Sequence, residues 1–174
     1  PLGPITVIGP GTGLGVGYVV RVGERTQAFP SEGGHVTLPA WDRDTREFSA
    51  WLEKRFGFAP GAEAGVSGMG IANLYEFLCQ RSGRAGVSAI LAAPAAERPA
   101  LVSQAAHEGS DPDAVRALEL FVELYARSPQ TTRPPSFRAA ACTSRAASPP
   151  RTSASSSRGI ASAPPSRGTT ASTS

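Results

Sequence analysis

The sequence predicts an α/β layout: a glycine-rich β-hairpin, then a string of helices, then a segment unable to form a core. Three observations carry this. Apolar runs, Ile5-Thr6-Val7-Ile8 and Tyr18-Val19-Val20-Arg21-Val22, flank the glycines of GPGTGLGVG at 9–17. Apolar residues recur at spacings of three and four in several windows between residues 42 and 127, which is helical periodicity. From Pro129 onward the only large apolar side chains are Phe137 and Ile160, too few to offset the entropy of ordering that stretch.

The elements follow in order. Two β-rich segments joined by glycine-rich backbone form a hairpin, because glycine has no Cβ and tolerates positive φ. Such a turn brings backbone N–H groups close to a ligand and suits phosphate oxygens, although a plain tight hairpin that binds nothing has the same local sequence. Residues 25–30 read as a further short strand, and Ser31-Glu32-Gly33-Gly34-His35 as a polar turn leading into Val36-Thr37-Leu38. Asp42 caps a helix whose Phe48, Trp51, Leu52, Arg55 and Phe56 share a face, and Gly57 ends it. Val66-Ser67-Gly68-Met69-Gly70 opens a second helix with the stripe Ile71, Leu74, Tyr75, Leu78 and Cys79, closed by Arg81-Ser82-Gly83. Residues 87–96 and 99–108 are expected to form short helices, the latter with Leu101, Val102 and Ala105 inward. Ser110-Asp111-Pro112 launches a last helix over 114–127, with Val115, Leu118, Phe121, Val122 and Tyr125 on its buried side. Three strands make a poor sheet for so many helices, so the order suggests a piece of a larger α/β domain.

Charge divides the chain in the same place. The 174 residues carry a formal net charge of +3, yet the tail beyond residue 128 holds six arginines and no acid, which leaves the body at −3. The basic pI of about 9.3 therefore belongs to the tail. Dispersed arginines give at most weak, salt-sensitive attraction to polyanions, and no specific nucleic-acid partner is expected. Cys79 and Cys142 are too few and too far apart for a disulfide framework or a zinc site, so a reduced, cytoplasmic setting is expected. No apolar run is long enough for a membrane span, and no signal peptide is present. The chain opens on Pro1 rather than Met, and an upstream segment is expected.

The glycine loop fails both common nucleotide signatures. G-x-G-x-x-G would need glycine at 14, 16 or 18, where Leu14, Val16 and Tyr18 stand. A Walker A loop needs Gly-Lys-Ser/Thr, and the single lysine is Lys54. What survives is a phosphate-holding β-hairpin. GPGTGLGVG, followed by SEGGHVTL and later by EAGVSGMGIANLY, resembles the bacterial ATP-dependent glucokinase family in three ordered motifs across residues 5–127, and the ALELFVELYAR helix matches as well.

The resemblance implies a partial actin-like, ribonuclease H-like domain of the sugar kinase, actin and Hsp70 superfamily. Residues 1–128 would be part of the large C-terminal domain, and 129–174 a disordered Ser/Pro/Ala/Arg-rich tail. It further implies that Glu32, His35 and Glu63 hydrogen-bond D-glucose hydroxyls, for which a carboxylate and an imidazole have suitable acceptors and donors. Gly11, Thr12, Gly13 and Gly15 would face the phosphates of ATP, with Mg²⁺ held by those phosphates. The reaction implied is γ-phosphoryl transfer to the sugar's 6-hydroxyl. The family's catalytic aspartate and its Asp-Gly-Gly-Thr phosphate loop are not in this sequence, so no catalytic residue is assigned and the chain alone is expected to be inactive. The parent enzyme could be a homodimer. A non-enzymatic sugar-binding or regulatory module is the alternative from another class.

Where the family reads Gly-Gly-Val-Tyr-Leu-Ala-Gly-Gly-Ile-Ala-Pro, this chain reads Ala140-Ala141-Cys142-Thr143-Ser144-Arg145-Ala146-Ala147-Ser148-Pro149. Written in G+C-rich codons and read one base later, the family stretch translates as those ten residues. A change of reading frame between about residues 127 and 140 is therefore expected, the other reading being a natural low-complexity extension.

Overall fold

The strands Ile5–Pro10 (β1) and Leu14–Val22 (β2) pair antiparallel, Pro10 opposite Leu14 and Ile5 opposite Val19. The computed structural model describes residues 3–85, 88–132 and 138–141. Alternation along these strands puts Thr6, Ile8, Leu14 and Val16 on one buried face. Arg25–Ser31 (β3) pairs antiparallel with the far end of β2, and Arg138–Ala141 (β4) runs parallel to β1, so the sheet order is β3-β2-β1-β4. The expected hairpin is therefore present, but its strands run through Gly9, Gly15 and Gly17, and only residues 11–13 form the turn.

The first helix, Arg43–Phe56 (α1), begins at a reciprocal cap: the Asp42 carboxylate accepts from Thr45 N–H, and Thr45 Oγ1 accepts from the Asp42 backbone. It stops at Gly57, whose φ of 79° is left-handed. The second, Gly68–Arg81 (α2), is capped by Ser67, whose Oγ accepts from Gly70 N–H at 2.9 Å. The segment expected to be helical over 87–96 contains only Ala89–Ala92 (α3). The residue before a proline is disfavoured in the helical region, and Ala93, which precedes Pro94, is extended at ψ 159°. Arg98–Glu108 (α4) ends at Gly109, and Pro112–Thr132 (α5) follows.

Phe48 and Leu52 of α1, Leu74, Tyr75 and Leu78 of α2, and Val102 of α4 form one core with the buried face of the sheet. The α5 expectation needs correcting. Among the described residues its buried apolar side chains are Ala114, Ala117, Leu120 and Leu124, whereas Val122 is 60% exposed and Val115, Leu118, Phe121 and Tyr125 are half-buried. The helix is apolar most of the way round, and the small Ala114 and Ala117 allow the closest approach to its neighbours, which sets the rotation.

The tail boundary also moves. The last helix runs to Thr132 and β4 occupies Arg138–Ala141, both inside the stretch expected to carry no fold. The expectation for residues 142–174 lies outside the described residues. No helix among the described residues is long and apolar enough to cross a membrane.

Candidate functional site

The hairpin turn, the 31–35 turn and the approach to α2 meet at one cleft of about 390 Å³. It is lined by Gly9, Gly11, Gly13 and Gly15 on one side and by Glu32, His35 and Glu63 on the other. Three predicted sugar ligands and three of the four predicted phosphate residues therefore gather in one place. The fourth, Thr12, points into a neighbouring cleft of about 710 Å³ on the α2 side, bordered by Arg55, Met69, Asn73 and Arg98. Gly11 borders both.

Each functional side chain is placed by local structure. Glu32 precedes a single 3-10 turn, Gly33–His35, in which His35 N–H donates to Glu32 O at 3.0 Å. That turn is fastened to β2 by Ser31, whose Oγ donates to Val16 O at 3.0 Å and accepts from Gly33 N–H at 3.2 Å. A Cβ on Gly34 would overlap Leu14 O, and one on Gly33 would crowd Val16, so the paired glycines let the turn lie against the strand. The result brings His35 Nε2 to 3.4 Å from Glu32 Oε2, with both side chains open to the cleft.

Glu63 sits in a second 3-10 turn, Ala62–Ala64, and its Oε2 accepts from Leu14 N–H at 2.9 Å. At the hairpin tip Gly11 N–H donates to Gly13 O at 2.7 Å, which closes the turn, while the amides of Thr12 and Gly13 meet no acceptor among the described residues. Two N–H groups are thus left at the tip for an anion. None of the hairpin glycines has positive φ; those that do are Gly23, Gly57, Gly83 and Gly109. The expectation that this turn uses the left-handed freedom of glycine is thus corrected. What the turn needs is room, since a Cβ on Gly13 would overlap the Glu63 carboxylate.

A polar cluster also ties the helices together, and sequence reasoning missed it. The buried Tyr75 hydroxyl donates to Asp111 Oδ2 at 2.7 Å and lies 2.7 Å from Ser88 Oγ. Arg84 bridges Asp111 and Asp113, each at 3.0 Å. Burial raises the Tyr75 hydroxyl pKa far above its ordinary value. Burial also pushes the Asp111 carboxyl up, but the hydrogen bonds from Tyr75 and Arg84 outweigh it and the net shift is downward. Among the described residues no three His, Cys, Asp or Glu side chains are grouped to hold a metal ion.

A glycine-tipped antiparallel hairpin, followed by helices and by a strand parallel to its first arm, puts the chain in the α/β class shared by sugar kinases, actin and Hsp70. Comparison with solved structures agrees. A glucokinase from an Antarctic psychrotroph superposes with a TM-score of 0.59 at 27% identity, over 72% of this chain and 36% of that one. A glucokinase from Balamuthia mandrillaris in complex with glucose gives 0.59 at 22% identity, a likeness of fold, over 74% of this chain and 36% of that one. Among curated relatives, the Nitrobacter hamburgensis glucokinase is 38% identical over 122 residues, 70% of this chain and 35% of its own length. The glucokinase family model matches residues 1–130, and the chain belongs to the glucokinase family. It spans 35% and 40% of the length of two curated relatives that it matches, the Nitrobacter hamburgensis glucokinase and one from Nostoc.

Proposed function

We propose that this chain carries the glucose-contacting turns and one phosphate hairpin of an ATP-dependent glucokinase, whose reaction turns ATP and D-glucose into ADP and D-glucose 6-phosphate. The observation that carries the proposal is the convergence of Glu32, His35 and Glu63 on one cleft walled by the hairpin glycines. A hexose has hydroxyls all round its ring, and two carboxylates with an imidazole supply acceptors on one side and a switchable donor on the other. The unpaired amides of Thr12 and Gly13, beside the sugar ligands, support a phosphoryl group held at the tip next to the sugar. Thr12 faces the larger cleft, so the triphosphate enters from the α2 side while the sugar lies on the Glu32 side. The Mg²⁺ comes with the nucleotide's phosphates.

Phosphoryl transfer also needs a group to accept the hydroxyl proton, and transfer depends on positioning it. Glu32, His35 and Glu63 are read as sugar ligands and none is given that role. The chain alone is therefore expected to bind and not to turn over. In the same reading, residues 1–128 belong to the large C-terminal domain.

Titrating the isotopically labelled chain with D-glucose, and with L-glucose as control, tests the reading. Saturable shifts at His35, Glu32 and Glu63 with the D sugar alone are expected. Equal response to both sugars, or none, would sink it.

A further inference from the structure

We infer that Glu63 is a positioning residue for the phosphate hairpin as well as a sugar ligand, so that one carboxylate joins the two substrates' sites. This rests on the functional reading above and adds a link within it. The Glu63 carboxylate reaches across 49 positions of sequence to accept the Leu14 N–H at 2.9 Å, directly after the 11–13 turn. The contact is close enough that Gly13 has no room for a Cβ beside it. The segment carrying Glu63 is itself fixed: Ser67 Oγ donates to Glu63 O at 2.8 Å, and Gly68 N–H donates to Gly11 O at 2.8 Å. The approach to α2 thus grips the hairpin at two points, one on each side of its tip.

The two grips differ in kind. Gly68 N–H to Gly11 O joins backbone to backbone, and no ligand competes for it directly. Glu63 is a side chain in the wall of the sugar cleft. A carboxylate offers about four lone-pair positions, and the Leu14 amide takes one. No other partner among the described residues engages the remaining ones, which are left for hydroxyls. Sugar hydroxyls donating to Glu63 therefore pull on the same group that holds Leu14, and they settle the neighbouring Thr12 and Gly13 amides. Glu32 and His35 lack this property: their side chains lie 3.4 Å apart, reach no hairpin amide among the described residues and stand open to the cleft.

Amide exchange at Leu14 in the full chain tests the assignment, with circular dichroism and the exchange of α2 amides reporting that each variant is folded. Glu63→Ala is expected to speed Leu14 exchange at least tenfold, and Glu63→Gln, which keeps a carbonyl acceptor, to restore it to within about threefold of the parent. Gly13→Ala approaches from the hairpin side, leaves all three sugar ligands chemically intact, and is expected to reproduce the Glu63→Ala acceleration. On adding D-glucose, the Leu14 and Gly11 amide resonances should follow the His35 ring in the parent chain. In Gly13→Ala they should stop following while His35 still responds. Exchange at Leu14 unchanged within twofold in Glu63→Ala overturns the positioning role, as does a failure of Gln to rescue it. Undiminished coupling to glucose in Gly13→Ala overturns the link. If no resonance responds to glucose in any chain, the sugar reading falls and the link with it, while the exchange data still decide whether Glu63 holds the hairpin.

Discussion

The helices and the sheet of this chain are held by different means. The helical body is interlocked twice over, by Phe48, Leu52, Leu74, Val102, Leu120 and Leu124 packed without exposure and by the Tyr75–Asp111–Arg84 cluster beneath them. The sheet is held unevenly: β3 is exposed along nearly its whole length, whereas β1 and β2 send Thr6, Ile8, Leu14 and Val16 into the core, and the Tyr125 hydroxyl donates to Ile8 O at 3.2 Å. The candidate site lies on the seam, with Glu63 from the helical side and the glycine turn from the sheet side. A rigid support on one side and a hairpin tip with two unpaired amides on the other lets a ligand adjust the tip without disturbing the core.

The largest way to break this contrast is to attack the rigid half. Phe48→Ala removes a fully buried ring and is expected to cost about 3–5 kcal/mol, unfolding helices and cleft together in one thermal transition. Asp111→Ala leaves the buried Tyr75 hydroxyl with Ser88 alone and Arg84 with Asp113 alone, and should cost about 1–3 kcal/mol, again read by thermal or urea unfolding. Gly34→Ala strikes the other half: its Cβ would collide with Leu14 O, so D-glucose binding by calorimetry should weaken at least tenfold while α2 and α5 amide exchange stays near the parent values.

Acid sharpens the contrast further. Hydrogen bonding to Arg81 first, and to Arg116 as well, holds the Asp44 carboxyl below its ordinary value of 3.8, and the Thr45 bonds do the same for Asp42. A depressed folded-state pKa adds stability that is present above the unfolded value and is lost as pH falls through the folded one. Stability should therefore be level from neutrality down to about pH 4 and decline below it, and Asp44→Asn should make that acid limb shallower. The smallest effect is expected at Val122→Ser, within about 0.5 kcal/mol, because that side chain is 60% exposed. A larger loss would mean that the half-buried stripe of α5 is covered in solution.

Much of this was legible in the sequence, where the signal was local. Asp42 and Gly57 bound α1 as their chemistry requires, and four of the five residues of the α2 stripe, Leu74, Tyr75, Leu78 and Cys79, are buried, with Ile71 half-buried. The rotation of α5 was not legible, because its apolar residues form two stripes and the alanines that decide between them look like filler. The shortness of α3 was available in Ala93-Pro94, where the proline ends the helix early. At the site, the motif glycines announced the cleft, but the reason for Gly13 is a carboxylate far along the chain, which no local pattern contains. The Tyr75–Asp111 bond, between residues 36 apart, was hidden for the same reason.

Among the described residues β3 has β2 as its one neighbour, so its other side is an edge of backbone donors and acceptors, the geometry by which sheets of separate molecules join. Pro30 is tolerated in this strand because only one side of it must be paired, and it shortens the run of donors available to a newcomer. Arg25 places a positive charge at the opposite end. What looks like the weakest part of the sheet thus carries two safeguards against strand-by-strand association, and removing Pro30 would turn a guarded edge into a template.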